Sequence, residues 1–147
     1  MTTSHAATAT STEAEQFVER FTEIWKNPSP EALNSLLHPD VRLVQPIDGE
    51  MRGHKATLKM WRRFFAALPD AHAEVLSWAA RDDVVFLELR MHGTAGGRPI
   101  EWDLTDRIRL EDGLVRERVS YFDSAALMGK LARNPRGVWA FLKARRA

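Results

Sequence analysis

Residues 84–123 read VVFLELRMHG-TAGGRPIEWD-LTDRIRLEDG-LVRERVSYFD. Within them, residues 100–110 alternate strictly. Ile100, Trp102, Leu104, Asp106, Ile108 and Leu110 share one face; Glu101, Asp103, Thr105, Arg107 and Arg109 share the other. A period of two marks a strand with one face buried and one wet. Gly93, Gly96 and Gly97 supply a turn before this strand, and Glu111-Asp112-Gly113 supplies one after it. Segments 84–92, 99–111 and 114–123 therefore read as an antiparallel meander, joined by a further β segment at 71–80 through an Arg81-Asp82-Asp83 turn.

What precedes the meander is helical. Phe17, Val18, Phe21, Ile24 and Trp25 recur at helical spacing over 13–26, and Thr12 with Glu15 has the spacing of a capping box. Pro28 and Pro30 stop that helix, and 31–38 reads as a short second one with Leu33, Leu36 and Leu37. Val41, Leu43 and Gln45 fall on one face of a short strand, 41–46, followed by a turn at Asp48-Gly49-Glu50. Gly53 precedes a strong helix over 55–68, with Leu58, Trp61, Phe64, Phe65 and Leu68 turned inward. Two short helices, 124–133 and 137–145, end the chain. Helices first and a long antiparallel sheet after them predict an α+β fold, a curved sheet wrapped over a few helices, and argue against a parallel nucleotide-binding sheet. Residues 1–12 are polar and small and read as a flexible tail; 13–147 form a single domain.

Composition narrows the function classes. At 147 residues the chain has room for one domain with a real core. Lys plus Arg is 21 against 20 for Asp plus Glu, so no strong field draws it to nucleic acid or to an acidic membrane. No window approaches a membrane span, and the N-terminus lacks the apolar core of a signal peptide, which predicts a cytoplasmic protein. The absence of cysteine removes thiolate metal sites, iron–sulfur centres and thiol chemistry. There is no HExxH and no close His pair, so neither a metal nor another cofactor is expected. Five tryptophans against one tyrosine point to an aromatic-lined cavity or simply to a core.

Asp106 is the sharpest local signal. It is a carboxylate on the apolar face of its strand, where it needs partners or must take up a proton. A raised pKa would suit it to acid–base work; the alternative is a core hydrogen bond or ion pair. His92 lies on a face with Glu88 and Arg90, and can shuttle protons or merely end a strand beside a glycine turn. A simple hairpin centred on Gly96 sets His92 opposite Glu101, distant from Asp106 and on the other face, unless a bulge intervenes. Gln45 can fix a polar ligand atom but cannot act as a base. On the last strand, Val115, Glu117, Val119 and Tyr121 form one face and Arg118, Ser120 and Phe122 the other, and either can be the concave one. Asp123 reads as the cap of the helix that follows.

Several strings resemble the NTF2-like superfamily of SnoaL type: Leu37-His-Pro-Asp-Val-Arg-Leu43, Gly53-His-Lys-Ala56, Leu68-Pro-Asp70, His92-Gly-Thr94, Arg109-Leu-Glu-Asp-Gly113 and Tyr121-Phe-Asp123. The resemblance implies a cone-shaped α+β fold, a homodimer, and an apolar pocket between sheet and helices. Where ketosteroid isomerases of this superfamily carry an Asp base, a Tyr and a protonated Asp, this chain has Gln45, Phe21 and Asp106. Where limonene-type epoxide hydrolases carry Asp, Arg, Asp, Tyr and Asn, it has His92, Arg90, Ser120, Leu43 and Gln45. That second match implies that Arg90, His92 and Ser120 face the pocket, against the hairpin argument. The Asp and His of SnoaL-type polyketide cyclases resemble Asp106 and His92.

These readings converge on a cofactor-free enzyme of isomerase or cyclase type, acting on an apolar, carbonyl-bearing ring compound. Asp106 or His92 would move a proton, and Arg90 and Gln45 would hold enolate oxygens. Trp25, Trp61, Phe65, Trp78 and Trp102 would wall the pocket, with Ser120 and Tyr121 also in contact with substrate. The alternatives are a non-catalytic binding protein for a hydrophobic small molecule and a dimeric domain of another activity.

Overall fold

The structure, a computed structural model, describes residues 4–146, with side chains from Thr12 onward. Most of the segment read as a tail, residues 1–12, lies outside the described side chains. Helix α1 spans Ser4–Lys26, so the Thr12–Glu15 pair falls inside it instead of at its start. Helix α2 is only Pro30–Asn34: Ser29 caps it by accepting a hydrogen bond from the Ala32 amide, and Pro30 fits the first turn, where its missing N–H costs nothing. The segment expected to continue as helix to residue 38 instead begins strand β1, Leu37–Gln45. The turn at Asp48-Gly49-Glu50 leads into a four-residue strand, β2, Gly49–Arg52, which pairs with β1. Helix α3 is Gly53–Ala67.

The meander follows as β3 (His72–Arg81), β4 (Val84–Ala95), β5 (Arg98–Glu111) and β6 (Leu114–Tyr121). Helices α4 (Ser124–Ala132) and α5 (Pro135–Arg146) close the chain. Asp123 caps α4, its side chain accepting from the Ala126 amide at 2.9 Å. All six strands form one sheet in the order β2-β1-β6-β5-β4-β3. One pairing departs from the antiparallel expectation: β1 runs parallel to β6. The curved, unclosed sheet covers α1 and α3, and the core lies between them, around Phe17, Leu43, Leu87, Leu89 and Ile108. The α+β fold is thus the one that the alternation implied.

Two irregularities position the site. In the β5–β6 ladder, Arg109 pairs with Glu117 but Leu110 pairs with Val115, so Arg116 is an extra residue. Such a bulge switches which side chains face inward. Val115 is buried on the inner face before it, and Arg118 and Ser120 are buried on that face after it. The simple alternation that grouped Val115 with Val119 and Tyr121 therefore breaks at Arg116. At the tip of the β4–β5 hairpin, Gly96 has φ +56°, and a Cβ there would come within 2.3 Å of the Gly137 nitrogen. This close approach, with the Asn134 amide donating to the Ala95 carbonyl, seats the α4–α5 corner on the hairpin. No described helix is long and apolar enough to cross a membrane.

Candidate functional site

The β4–β5 ladder runs without a shift from Val84 opposite Arg109 to Ala95 opposite Arg98. Asp106 stands on its inner face, cross-strand from Leu87 on one side and Ser120 on the other. It is 2% exposed, and the Ser120 hydroxyl donates a hydrogen bond to its Oδ1. Burial pushes the Asp106 carboxyl above the usual carboxylate range. The nearby Arg118 guanidinium and the Ser120 hydroxyl pull the other way, because both favour the ionised form.

Arg118, two residues along β6 from Ser120, is 6% exposed. Its Nη2 donates to Gln45 Oε1 at 2.7 Å, and its guanidinium carbon lies 5.1 Å from the centroid of the Trp61 ring. Gln45 Nε2 in turn donates to Asp48 Oδ2 at 2.8 Å, which fixes the orientation of the amide. The parallel pairing of β1 with β6 creates this contact between residues 73 apart in sequence. Arg118 makes no ion pair within 4 Å among the described residues, and its Nε is buried without an acceptor. Trp25 Nε1 and Trp61 Nε1 are the other two buried side-chain donors with no partner there. Each such unmade hydrogen bond costs about 1–3 kcal/mol.

These residues line a cavity of about 150 Å³ between the sheet and α3. A space of that order holds one six-membered ring. Trp25 and Trp61 meet edge to face at 5.9 Å on the helix side; Trp102 and Leu104 supply the sheet side; and Leu131 and Phe141 of α4 and α5 close it. The C-terminal helices thus make a wall that the strand pattern does not announce.

The expected site residues divide. Asp106, Gln45, Ser120, Trp25, Trp61 and Trp102 meet at the cavity. His92 and Arg90 do not, which corrects the pairing of His92 with Asp106 and the inward direction that the epoxide-hydrolase match implied for both. Without a bulge in the β4–β5 ladder, His92 stays opposite Glu101 on the outer face, as the hairpin argument has it. There its Nδ1 lies 3.3 Å from Glu101 Oε2, and its ring stacks on His72 at 5.0 Å. Arg90 is engaged by Asp103 on the same face, at 2.9 Å. Tyr121 pairs with Thr105 on the outer face and is half exposed. Trp78 sits on the edge strand β3, 39% exposed and away from the cavity. Phe65 packs against the main core beside Phe64 and does not line the cavity. Arg118 is the residue that sequence reasoning placed without a role. A charge alternating with Ser120 and Phe122 was its only signal, and it becomes informative once the bulge at Arg116 is known. Among the described residues, no group of three His, Asp or Glu side chains is placed to hold a metal ion.

Comparison with known proteins follows the same lines. The model of the SnoaL-like domain matches residues 18–118. No curated protein matches the chain. Among solved structures, a protein from Jannaschia sp. CCS1 described as a SnoaL-like polyketide cyclase superposes with a TM-score of 0.72 at 17% identity, covering 84% of this chain and 94% of that one. A Catenulispora acidiphila protein with a ketosteroid isomerase-like fold gives 0.70 at 20% identity, over 80% and 91% of the two chains. An LEH-like epoxide hydrolase from M. tuberculosis gives 0.69 at 21% identity, over 89% and 96%. At these identities the likeness is one of fold.

Proposed function

The chain belongs to the SnoaL-like domain family, and on that premise we propose that it is an enzyme moving a proton on an apolar, carbonyl-bearing ring compound, without a cofactor. Structural neighbours described as a polyketide cyclase and an epoxide hydrolase support chemistry of this general kind. One observation carries the proposal: a single carboxyl, Asp106, is buried at the polar end of a ring-sized apolar cavity. A carboxyl pushed up by burial is a stronger base than an exposed one, and it can return the proton that it takes. In this reading Asp106 removes a proton from the carbon next to the carbonyl and delivers it to the isomeric position. The Ser120 hydroxyl orients the carboxyl. Arg118, held by Gln45, faces the oxygen on which the enolate charge develops. Trp25, Trp61 and Trp102 hold the ring.

The test is a panel of cyclic ketones and phenolic ketones followed for turnover and for quenching of tryptophan fluorescence. Asp106→Asn should lower turnover by about 10²–10⁴-fold with binding retained. His92→Ala, on the outer face, should leave turnover within about twofold of the wild type, as a surface change away from the reacting atoms does. Unchanged turnover in Asp106→Asn would refute the acid–base role. A second reading, a binding protein for the same ligands, is favoured by the absence of His, Tyr or Glu among the cavity-lining residues. Binding without turnover of any panel member by the wild type would establish it. A homodimer, with the half-exposed Phe86 and Tyr121 of the outer sheet face in its interface, completes the proposal. Sedimentation velocity of the wild type and of Phe86→Asp would refute it by showing a monomer for both.

A further inference from the structure

We propose that the ligand of this cavity is a single-ring oxyanion, a ring carboxylate or an ionised ring enol, whose negative charge is held by Arg118. The inference rests on the reading of the cavity as a site for ring compounds, and adds the charge that the ring must carry.

Most arginines of this sheet have a carboxylate partner. Arg42 meets Glu50 and Glu117, Arg90 meets Asp103, Arg107 meets Glu117, and Arg116 meets Glu111, all within 3.5 Å and all at least partly exposed. Arg118 is the buried one, and it lacks such a partner among the described residues. Its neighbours are the neutral amide of Gln45 and the face of Trp61. A cation over an indole is only weakly stabilised. Removing a guanidinium from water costs more than that, and a partner carboxylate normally offsets the cost. The guanidinium is also under-used as a donor. Its Nε has no acceptor, although it is buried in the wall of the cavity.

Asp106 is the obvious candidate to neutralise it, and it does so only through space, without a contact pair. No Asp106 oxygen lies within ion-pair distance of Arg118, and Oδ1 is taken by the Ser120 hydroxyl. Burial, moreover, favours the protonated carboxyl. Asp48, the second carboxylate at the cavity, is bound to Gln45 Nε2. Three arginines line the space, Arg63, Arg118 and Arg145, against these two aspartates. The lining is thus positive by one charge with both aspartates ionised, and by two with Asp106 protonated. A planar anion on a ring answers every one of these features. Its oxygens supply acceptors in the guanidinium plane, where charge-assisted hydrogen bonds are about twice as strong as neutral ones. The space of about 150 Å³ accommodates one ring.

The test compares anions with uncharged molecules of similar shape. The wild-type protein is titrated calorimetrically near neutral pH with benzoate and methyl benzoate, and with ionised 1,3-cyclohexanedione and cyclohexanone. At least one anion should bind tenfold or more tightly than its uncharged counterpart, and the pair that shows it identifies the carboxylate or the enol as the source. Arg118→Gln should abolish the preference. Gln45→Glu is the safer second variant, because residue 45 is only half-buried. It sets a carboxylate where the amide oxygen now accepts from Arg118, and should also remove the preference. Equal binding of charged and uncharged probes, or a preference that survives both substitutions, overturns the inference while leaving the ring-compound reading intact. Failure of all four probes to bind overturns both.

Discussion

Asp103 and Asp106 belong to the same strand and lie on its opposite faces, and their environments drive them in opposite directions. Asp103 faces outward, where the Arg90 guanidinium holds its carboxyl below the usual range through two hydrogen bonds. Asp106 faces inward, where burial pushes its carboxyl up against a weaker opposing pull from Arg118 and the Ser120 hydroxyl. The outer face is a mosaic of solvated polar and charged groups, Glu74, Arg90, His92, Glu101 and Asp103 among them, each within 4 Å of another. Its pairs are worth little individually, because water screens them. The inner face carries few polar groups, and each of those is expensive to bury. A carboxyl is pushed up where water cannot relieve its charge.

The largest effect should come from packing. Leu87→Ala, at a fully buried inner position, should cost about 2–5 kcal/mol in denaturant unfolding. Phe86→Ala, its neighbour on the outer face at 43% exposure, should cost about 1 kcal/mol or less. Equal losses would show that the outer face is packed as tightly as the inner one.

A smaller effect should distinguish the two aspartates by sign. The folded pKa of Asp106 is raised, so its contribution to stability is complete below the unfolded value of about 4 and is lost as pH rises through the folded one. Asp106→Asn should therefore melt at a higher temperature than the wild type at neutral pH, and the advantage should vanish in acid. The folded pKa of Asp103 is depressed, so its contribution is present above about pH 4 and is lost as pH falls through the folded value. Asp103→Asn should melt slightly lower at neutral pH, with the deficit closing in acid. Thermal unfolding of the two variants across the acid-to-neutral range checks both, and shifts of the same sign would remove the contrast. A stabilising Asp106→Asn that has lost turnover would also show that this carboxyl is kept at the expense of stability.

Much of this was legible in the sequence. The period of two over 100–110 identified both faces of β5 and marked Asp106 as the residue out of place, and the glycine turn put His92 opposite Glu101. The resemblance to known families pulled His92 and Arg90 inward, and the uninterrupted register of the hairpin overrules it. The short strand β2 and the start of β1 were missed, because Gly49–Arg52 is mostly exposed and carries no alternation of its own. Leu36 and Leu37 fit either a helix face or the start of a strand, and Leu37 enters the strand because it pairs with Val115, far along the chain.

Local periodicity and turn chemistry dictate the order of the main elements, the buried face of the central strand and the anomaly of one carboxylate on it. What surrounds that carboxylate depends on contacts between residues far apart in the chain. The bulge at Arg116 turns Arg118 and Ser120 inward, the parallel pairing of β1 with β6 brings Gln45 to the guanidinium, and the close contact of Gly96 with Gly137 seats the helices that close the cavity. The reason is physical. A strand with polar and apolar residues on both faces has no local preference for which side to bury, so its register is chosen by the partners it meets across the sheet.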